Sequence, residues 1–364
     1  MTTSQMSLWN ESTTTWPRVF EAGECWEKRS PTSEEFIFET LDLISARKLA
    51  EKRNKVDDYQ VYIALYSQGI VDSDLDPRKA IAQLHEPDRL NPVGLIGYRL
   101  PKLIPDDNPG FVTPVALSRV VEPFNEHNRQ VLCTPKFWMT DLHIDNCDGL
   151  SATIGSYGQR SKLARIGKDL EGGLVIKADS TQALYVPAGC IHAVFTLHGG
   201  FLVSLEFTTS LSVKVLSALL NAQFDRFKDQ WLQSELPRQF IESVELALTQ
   251  NQVLVGVDAW INAQDRIRLW YDKEQDSNDA TRNQYWADRR PDWEKEVRSV
   301  WGAFFRSPYS GAIEKCLCKG MIQGRYQTFK EHFYLEHLVV DRLEQGSGAT
   351  EIIEPKPKRR KKRM

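Results

Sequence analysis

The 364-residue sequence predicts an α+β fold, with helical regions at both ends enclosing strand-and-turn sequence between about residues 92 and 208. Three observations carry this. In the amino-terminal third, Thr32 and Glu35 form a capping box that opens a helix bearing Phe36, Leu41, Leu43, Ile44 and Leu49. Asp58 to Gln68 predicts a second helix stopped by Gly69, and Asp76 with Pro77 caps a third that runs through Ala80, Ile81 and Leu84. The middle breaks into short apolar runs separated by Gly, Pro, Asn and Asp: Val112 to Val121, Phe137 to Ile144, Leu174 to Ile176, Leu184 to Val186 and Phe201 to Phe207. Helical spacing then returns in Val213 to Leu232, Arg238 to Leu248, Ala259 to Tyr271, Trp293 to Phe305 and Tyr326 to Leu343, with Pro237 and Pro291 marking starts. The layout predicts an antiparallel barrel or sandwich with helices packed on it.

The expected organisation is a mostly helical region over 1–91, a β core over 92–209, a helical carboxy-terminal region over 210–346 and a disordered basic tail over 347–364. Residues 1 to 31 mix Ser, Thr and Trp without periodicity and read as a lead-in. A hydrophobic fraction of 41% is enough to bury a large core. No apolar run approaches the roughly 20 residues of a membrane span, and the polar start lacks signal-peptide layout, so the expectation is a soluble intracellular protein. Six scattered cysteines predict reduced thiols rather than a disulfide framework.

The net charge of -3 conceals an asymmetry, because seven Lys and Arg crowd the last nine residues. Residues 1–354 hold 39 basic against 49 acidic side chains, a balance of -10. An acidic body excludes a domain that grips DNA over its main surface. The tail Pro355 to Met364 has the composition of a nuclear localisation signal read by an import receptor, with nonspecific nucleic-acid contact as the other reading.

The chemistry-bearing segment is His143-Ile144-Asp145. In a strand, residues two apart share a face, so an imidazole and a carboxylate can point together into a barrel. With seven His and 49 acidic residues in 364, about one His-x-Asp/Glu arises by chance, so the pair alone is weak. A second segment strengthens it: Pro187-Ala188-Gly189-Cys190-Ile191-His192 places a tight turn just before a His that opens an apolar strand. Two His and one carboxylate form the facial triad that non-heme iron oxygenases use to leave coordination positions open.

Residues 134 to 209, densest in Thr140-Asp-Leu-His143-Ile-Asp145, Asp148-Gly149-Leu150-Ser151 and Pro187 to Thr196, resemble the JmjC family within the wider cupin group. The resemblance implies a double-stranded β-helix (jelly-roll) core, Fe(II) held by His143, Asp145 and His192, and 2-oxoglutarate as cosubstrate. It further implies that Thr140 donates a hydroxyl to 2-oxoglutarate and that a basic residue, Lys162 or its competitor Arg160, pairs with the far carboxylate. Glu206 falls where many family members carry an Asn beside the iron or cosubstrate. A carboxylate there needs a partner or a proton, and it repels an incoming anion. The implied activity is oxidative decarboxylation of 2-oxoglutarate coupled to oxidation of a protein substrate. Histone lysine demethylase and protein hydroxylase are the variants, and a catalytically inactive chromatin or protein-interaction module is the alternative; a cupin-type metal protein or isomerase without 2-oxoglutarate is a third.

Other polar clusters read more plainly. His198-Gly199-Gly200 reads as a hairpin tip, and Trp260, Trp270, Trp293 and Trp301 read as helix-core residues. Cys316-Leu317-Cys318 with His332 and His337 has the residue types of a zinc site, but one residue separates the cysteines and the histidines stand five apart on an expected helix. That spacing splays the histidines apart unless the helix end distorts.

Overall fold

A computed structural model describes residues 16–51, 62–65, 70–71, 76–105, 110–145, 147–154, 159–160, 175–221, 230–250, 252–275, 294–313, 316, 318 and 328–338. The basic tail, Lys162, Pro291 and Trp293 lie outside the described residues. Among the described residues, no helix is long and apolar enough to cross a membrane.

Helix α1 (Ser33–Glu51) begins as its sequence dictates. The Thr32 amide donates to Glu35 Oε2 at 2.8 Å and the Glu35 amide donates to Thr32 Oγ1 at 3.3 Å, so each satisfies the other's orphan donor. A short helix α2 (Arg78–Ala82) follows Asp76, whose carboxylate accepts from the Arg78 amide. Around them lie β1 (Arg18–Glu21), β2 (Tyr62–Leu65), β3 (Ile70–Val71) and β4 (Val93–Tyr98). Next come helix α3 (Val115–Val121) and strands β5 (Phe124–Thr134), β6 (Met139–Ile144), β7 (Asp148–Ile154) and β8 (Gln159–Arg160). Strands β9 (Lys177–Ala178), β10 (Gln182–Val186), β11 (Ile191–Phe195) and β12 (Gly200–Thr209) complete the β region.

One sheet has the order β1-β10-β7-β12-β5-β4-β2-β3, and the pairs β11-β6 and β8-β9 form two further two-stranded sheets, with β8 beside β11. From β5 to β12 the chain alternates between the large sheet, which takes β5, β7, β10 and β12, and the two-stranded sheets, which take β6, β8, β9 and β11. Antiparallel strands interleaved in this way form a jelly roll. The fold is therefore α+β, as the sequence predicts. Phe201, Val203, Leu205 and Phe207 of β12 bury their side chains with Leu150 and Ala152 of β7 and Tyr185 of β10 in the first core.

The carboxy-terminal helices build a second core. Helices α4 (Val213–Asn221), α5 (Gln230–Thr249), α6 (Val253–Gln275), α7 (294–306) and α8 (Phe329–Glu336) gather around Trp260 and Trp301, whose ring centroids are 5.3 Å apart, with Phe240 stacked on Trp260. These two tryptophans are core residues, as their spacing predicts.

Several local expectations fail. The helix expected over Asp58 to Gln68 is at Tyr62–Leu65 a strand, paired to β4 with Tyr62 opposite Ile96, because Tyr-Ile-Ala-Leu finds a ladder partner that outweighs helical spacing. The strand expected over Val112 to Val121 is helix α3 from Val115 onward: extended Pro114 precedes it, and Leu117 and Val121, four apart, are both buried. Val175 and Ile176 precede β9 rather than forming a strand. Pro237 lies inside α5 instead of starting it. Strand β5, absent from the sequence expectation, runs between β12 and β4.

The two cores meet at one carboxylate. Asp148, fully buried at the start of β7, accepts from Tyr185 Oη at 2.6 Å, the Ala188 amide at 3.4 Å, Thr209 Oγ1 at 3.1 Å and the Ser212 hydroxyl. Burial pushes its carboxyl pKa up while these donors pull it down. Asp148→Ala would strand these donors in a dry site, at a cost of about 3 kcal/mol. Urea unfolding of the variant tests this, and a loss below about 1 kcal/mol would show that water or rearrangement satisfies the donors.

Candidate metal centre

The two-stranded β6–β11 sheet carries the candidate centre. Its ladder pairs His192 with His143 and Val194 with Thr140, so a two-residue step on β11 meets a three-residue step on β6. That is a bulge in β6. His192 and Val194, two apart, share a face, and directly opposed residues share a face, so positions 140 and 143 come to the same side despite their odd spacing. The bulge is what brings the expected ligand position and the expected cosubstrate position, three residues apart, to one side. The His143 side chain lies outside the described residues; its backbone register places it directly across from His192.

The turn before β11 fixes the second expected ligand, His192. Gly189 has φ of 74°, a conformation that favours glycine, and its amide donates to the Asp145 carbonyl at 2.8 Å. A Cβ at Gly189 would also collide with Val215 of α4. His192 Nδ1 is 2.9 Å from the Cys190 carbonyl oxygen, which accepts its proton and leaves Nε2 with the lone pair. That Nε2 stands 3.4 Å from Asp145 Oδ2, in a mouth where the His192 side chain is 20% exposed and that of Asp145 is 49% exposed. Adjacent ligands each about 2.1 Å from one ion would be about 3 Å apart, so the pair fits a shared metal. Both atoms also fit an ion pair when the imidazole is protonated.

The remaining expected residues divide. Thr140 is half-buried on β6, and its hydroxyl oxygen accepts from the Trp138 indole at 3.3 Å, which leaves its own proton available to donate. Arg160 lies on β8, which packs beside β11, with its side chain outside the described residues, as is all of Lys162. Glu206 on β12 is half-buried and finds a partner: the Gln130 amide donates to its Oε1, and Asn128 is its register partner on β5. Burial, with the Asp145 carboxylate adding to it, raises Glu206 from its ordinary 4.5 to about 7. Gln130 and Asn128 escaped the sequence reading because β5 did.

The splaying expected of His332 and His337 does not occur. Helix α8 ends at Glu336, and His337 has φ of -124° and ψ of -12°, outside the helix. The five-residue spacing thus spans a helix end, and the two imidazoles meet instead of splaying.

These features define a jelly-roll protein with an imidazole and a carboxylate paired at its β6–β11 sheet. No family model and no curated protein matches the chain. Among solved structures, it is similar to YcfD, a ribosomal oxygenase from Escherichia coli, in complex with cobalt and succinic acid, at 13% identity over 72% of this chain and 70% of that chain with a TM-score of 0.34. It is similar to the same protein in complex with cobalt and 2-oxoglutarate at 14% identity, over 72% and 67%, with a TM-score of 0.34. The jelly roll stands on the strand order and borrows nothing from this likeness.

A raised carboxyl pKa sets a direction for stability. Between 4.5 and about 7 the folded metal-free chain holds a proton on Glu206 that the unfolded chain has lost, so stability falls as pH rises through that window. Glu206→Gln removes this slope and gains stability relative to wild type above about pH 7. Melting temperatures of chelator-treated protein across the window measure it; parallel curves for the two proteins would show that Glu206 titrates normally.

Proposed function

We propose that the chain is a JmjC-like Fe(II)/2-oxoglutarate-dependent oxygenase acting on a protein substrate. The observation that carries this is the Asp145–His192 pair at 3.4 Å, with position 143 across the ladder and Thr140 brought to the same face by the bulge. His143, Asp145 and His192 would hold Fe(II). When bound, the iron supplies open coordination positions at which 2-oxoglutarate and O₂ meet, and the overall reaction gives succinate, CO₂ and an oxidised substrate C–H bond. The chain's own part is positional. The Cys190 carbonyl holds the His192 ring in the tautomer a metal needs. The Trp138 indole donates to the Thr140 oxygen, and the Thr140 hydroxyl would then give its own proton to a cosubstrate carboxylate. Lys162 or Arg160 would pair with the far carboxylate as a fixed cation.

Glu206 favours a second reading, a catalytically inactive JmjC-like interaction module. Its carboxyl, charged above about pH 7 and within electrostatic reach of Asp145, opposes the binding of a dianion near that residue. The substrate determines the product in the active case. Hydroxylation of a carbon leaves an alcohol, whereas hydroxylation of an N-methyl group, as in a methylated histone lysine, releases formaldehyde. The basic tail is proposed to direct the chain to the nucleus through an import receptor; deleting residues 355–363 from a fluorescent fusion should release it to the cytoplasm.

The decisive experiment loads the full chain with Fe(II) under anaerobic conditions and measures 2-oxoglutarate binding and succinate release in wild type, His143→Ala, His192→Ala and Glu206→Asn. The oxygenase reading expects binding and turnover in wild type and a loss of at least about 100-fold in either His variant. Binding without turnover that Glu206→Asn restores supports the inactive module. A wild type that holds neither iron nor 2-oxoglutarate removes the oxygenase reading.

A further inference from the structure

The helical region contains a second constellation of metal-ligating side chains, remote in sequence from the jelly roll. Cys316 Sγ is 3.3 Å from His337 Nε2, Cys318 Sγ is 3.3 Å from His332 Nε2, and the two Nε2 atoms are 3.0 Å apart. All four donor atoms lie within 4.8 Å of one another. A zinc ion with bonds of about 2.3 Å to sulfur and 2.0–2.1 Å to nitrogen sets its tetrahedral ligand atoms about 3.3–3.8 Å apart. Three of the six edges, at 3.3, 3.3 and 3.0 Å, lie within a few tenths of an ångström of that range, and the other three are no longer than 4.8 Å. We infer that Cys316, Cys318, His332 and His337 form a structural zinc site that fastens the last described helix to the helical core.

The surroundings have the character of a closed site. Cys316, His332 and His337 are buried and Cys318 is partly buried. The donor set is complete at four protein ligands, which leaves no open position and marks the site as structural rather than catalytic. Two thiolates and two imidazoles in a tetrahedron select zinc over the hard cations that prefer oxygen. A supporting shell is present as well. His337 Nδ1 lies 2.6 Å from Gln264 Oε1 on α6, which accepts its proton and directs the Nε2 lone pair inward. The Cys318 amide points at Cys316 Sγ at 3.5 Å, a contact that stabilises a thiolate. The Trp260 indole on α6 donates to the His337 carbonyl at 2.7 Å, so the ligand that closes the site is tied to α6 twice.

The site has no ligand in common with the His143, Asp145 and His192 centre, so the two are separable by experiment. The full chain, expressed in zinc-supplemented medium, is analysed for metal by mass spectrometry. One equivalent of zinc is expected in wild type and in His192→Ala, and none above background in Cys316→Ser/Cys318→Ser. Retention by the double variant overturns the site, as does an absence of zinc from wild type. Because the double variant can fail to fold, cobalt(II) substitution of the wild-type chain supplies a second readout. Thiolate-to-cobalt charge transfer with tetrahedral d–d bands is expected, and their absence overturns the inference. Cys318→His, which exchanges one ligand for another, keeps the metal with weaker charge transfer. Removing zinc with a strong chelator lowers the melting temperature by about 10 °C, and an unchanged melting temperature would show that nothing structural was bound there.

Discussion

The buried carboxylate of Asp148 is the constraint on which the remaining structure depends. A charge in that position is tolerable only with its lone pairs occupied, and its partners come from different parts of the chain: Tyr185 from β10, Ala188 from the turn, Thr209 from the end of β12 and Ser212 from the start of the helical region. The requirement to satisfy one residue thus fixes the relative placement of β7, β10 and β12 and the exit into α4. Ser243 of α5 adds a donor to the Thr209 carbonyl at 2.5 Å, which carries the same network into the second core.

The consequence for the candidate metal centre lies in the turn. Ala188 is held by Asp148 from one side, and the Gly189 amide is held by the Asp145 carbonyl from the other. His192 follows two residues after a peptide whose carbonyl, that of Cys190, also receives its Nδ1 proton. The imidazole therefore has little freedom about either its backbone or its ring, which is the preorganisation a metal ligand requires. Asp145 is fixed through its carbonyl while its carboxylate remains half exposed, so the candidate centre is open to solvent at Asp145.

What the sequence discloses and what it hides follow one rule: features set by a few adjacent residues are legible, and features set by partners across a sheet are not. The Thr32–Glu35 box and the Gly189 turn are local, and each stands where its residues place it. Strand β5 reads as Asn-Glu-His-Asn-Arg-Gln, a polar run, because its residues answer groups on β12 and on the helices instead of filling a core; Gln130 and Glu206 are the case that bears on chemistry. The β6 bulge is invisible in the sequence, since only the ladder opposite reveals that residues 140 and 143 share a face. Counting five residues between His332 and His337 misleads for the same reason, because a helix end between them is a tertiary fact.

The helical region is more than an appendage to the jelly roll. Val215 of α4 packs where a Cβ of Gly189 would lie, so the helix seals the outer side of the turn that carries His192. Any displacement of α4 would release that turn, and α4 is itself packed on α6 through Ser217, whose hydroxyl donates to the Ala259 carbonyl at 3.0 Å. Trp260, the next residue on α6, holds His337 and the end of α8. A continuous line of packed and hydrogen-bonded groups therefore runs from α8 through α6 and α4 to the turn before His192. Contiguity alone does not amount to coupling. An ion fastening α8 would tie down one end of that line, whose other end is the turn before His192.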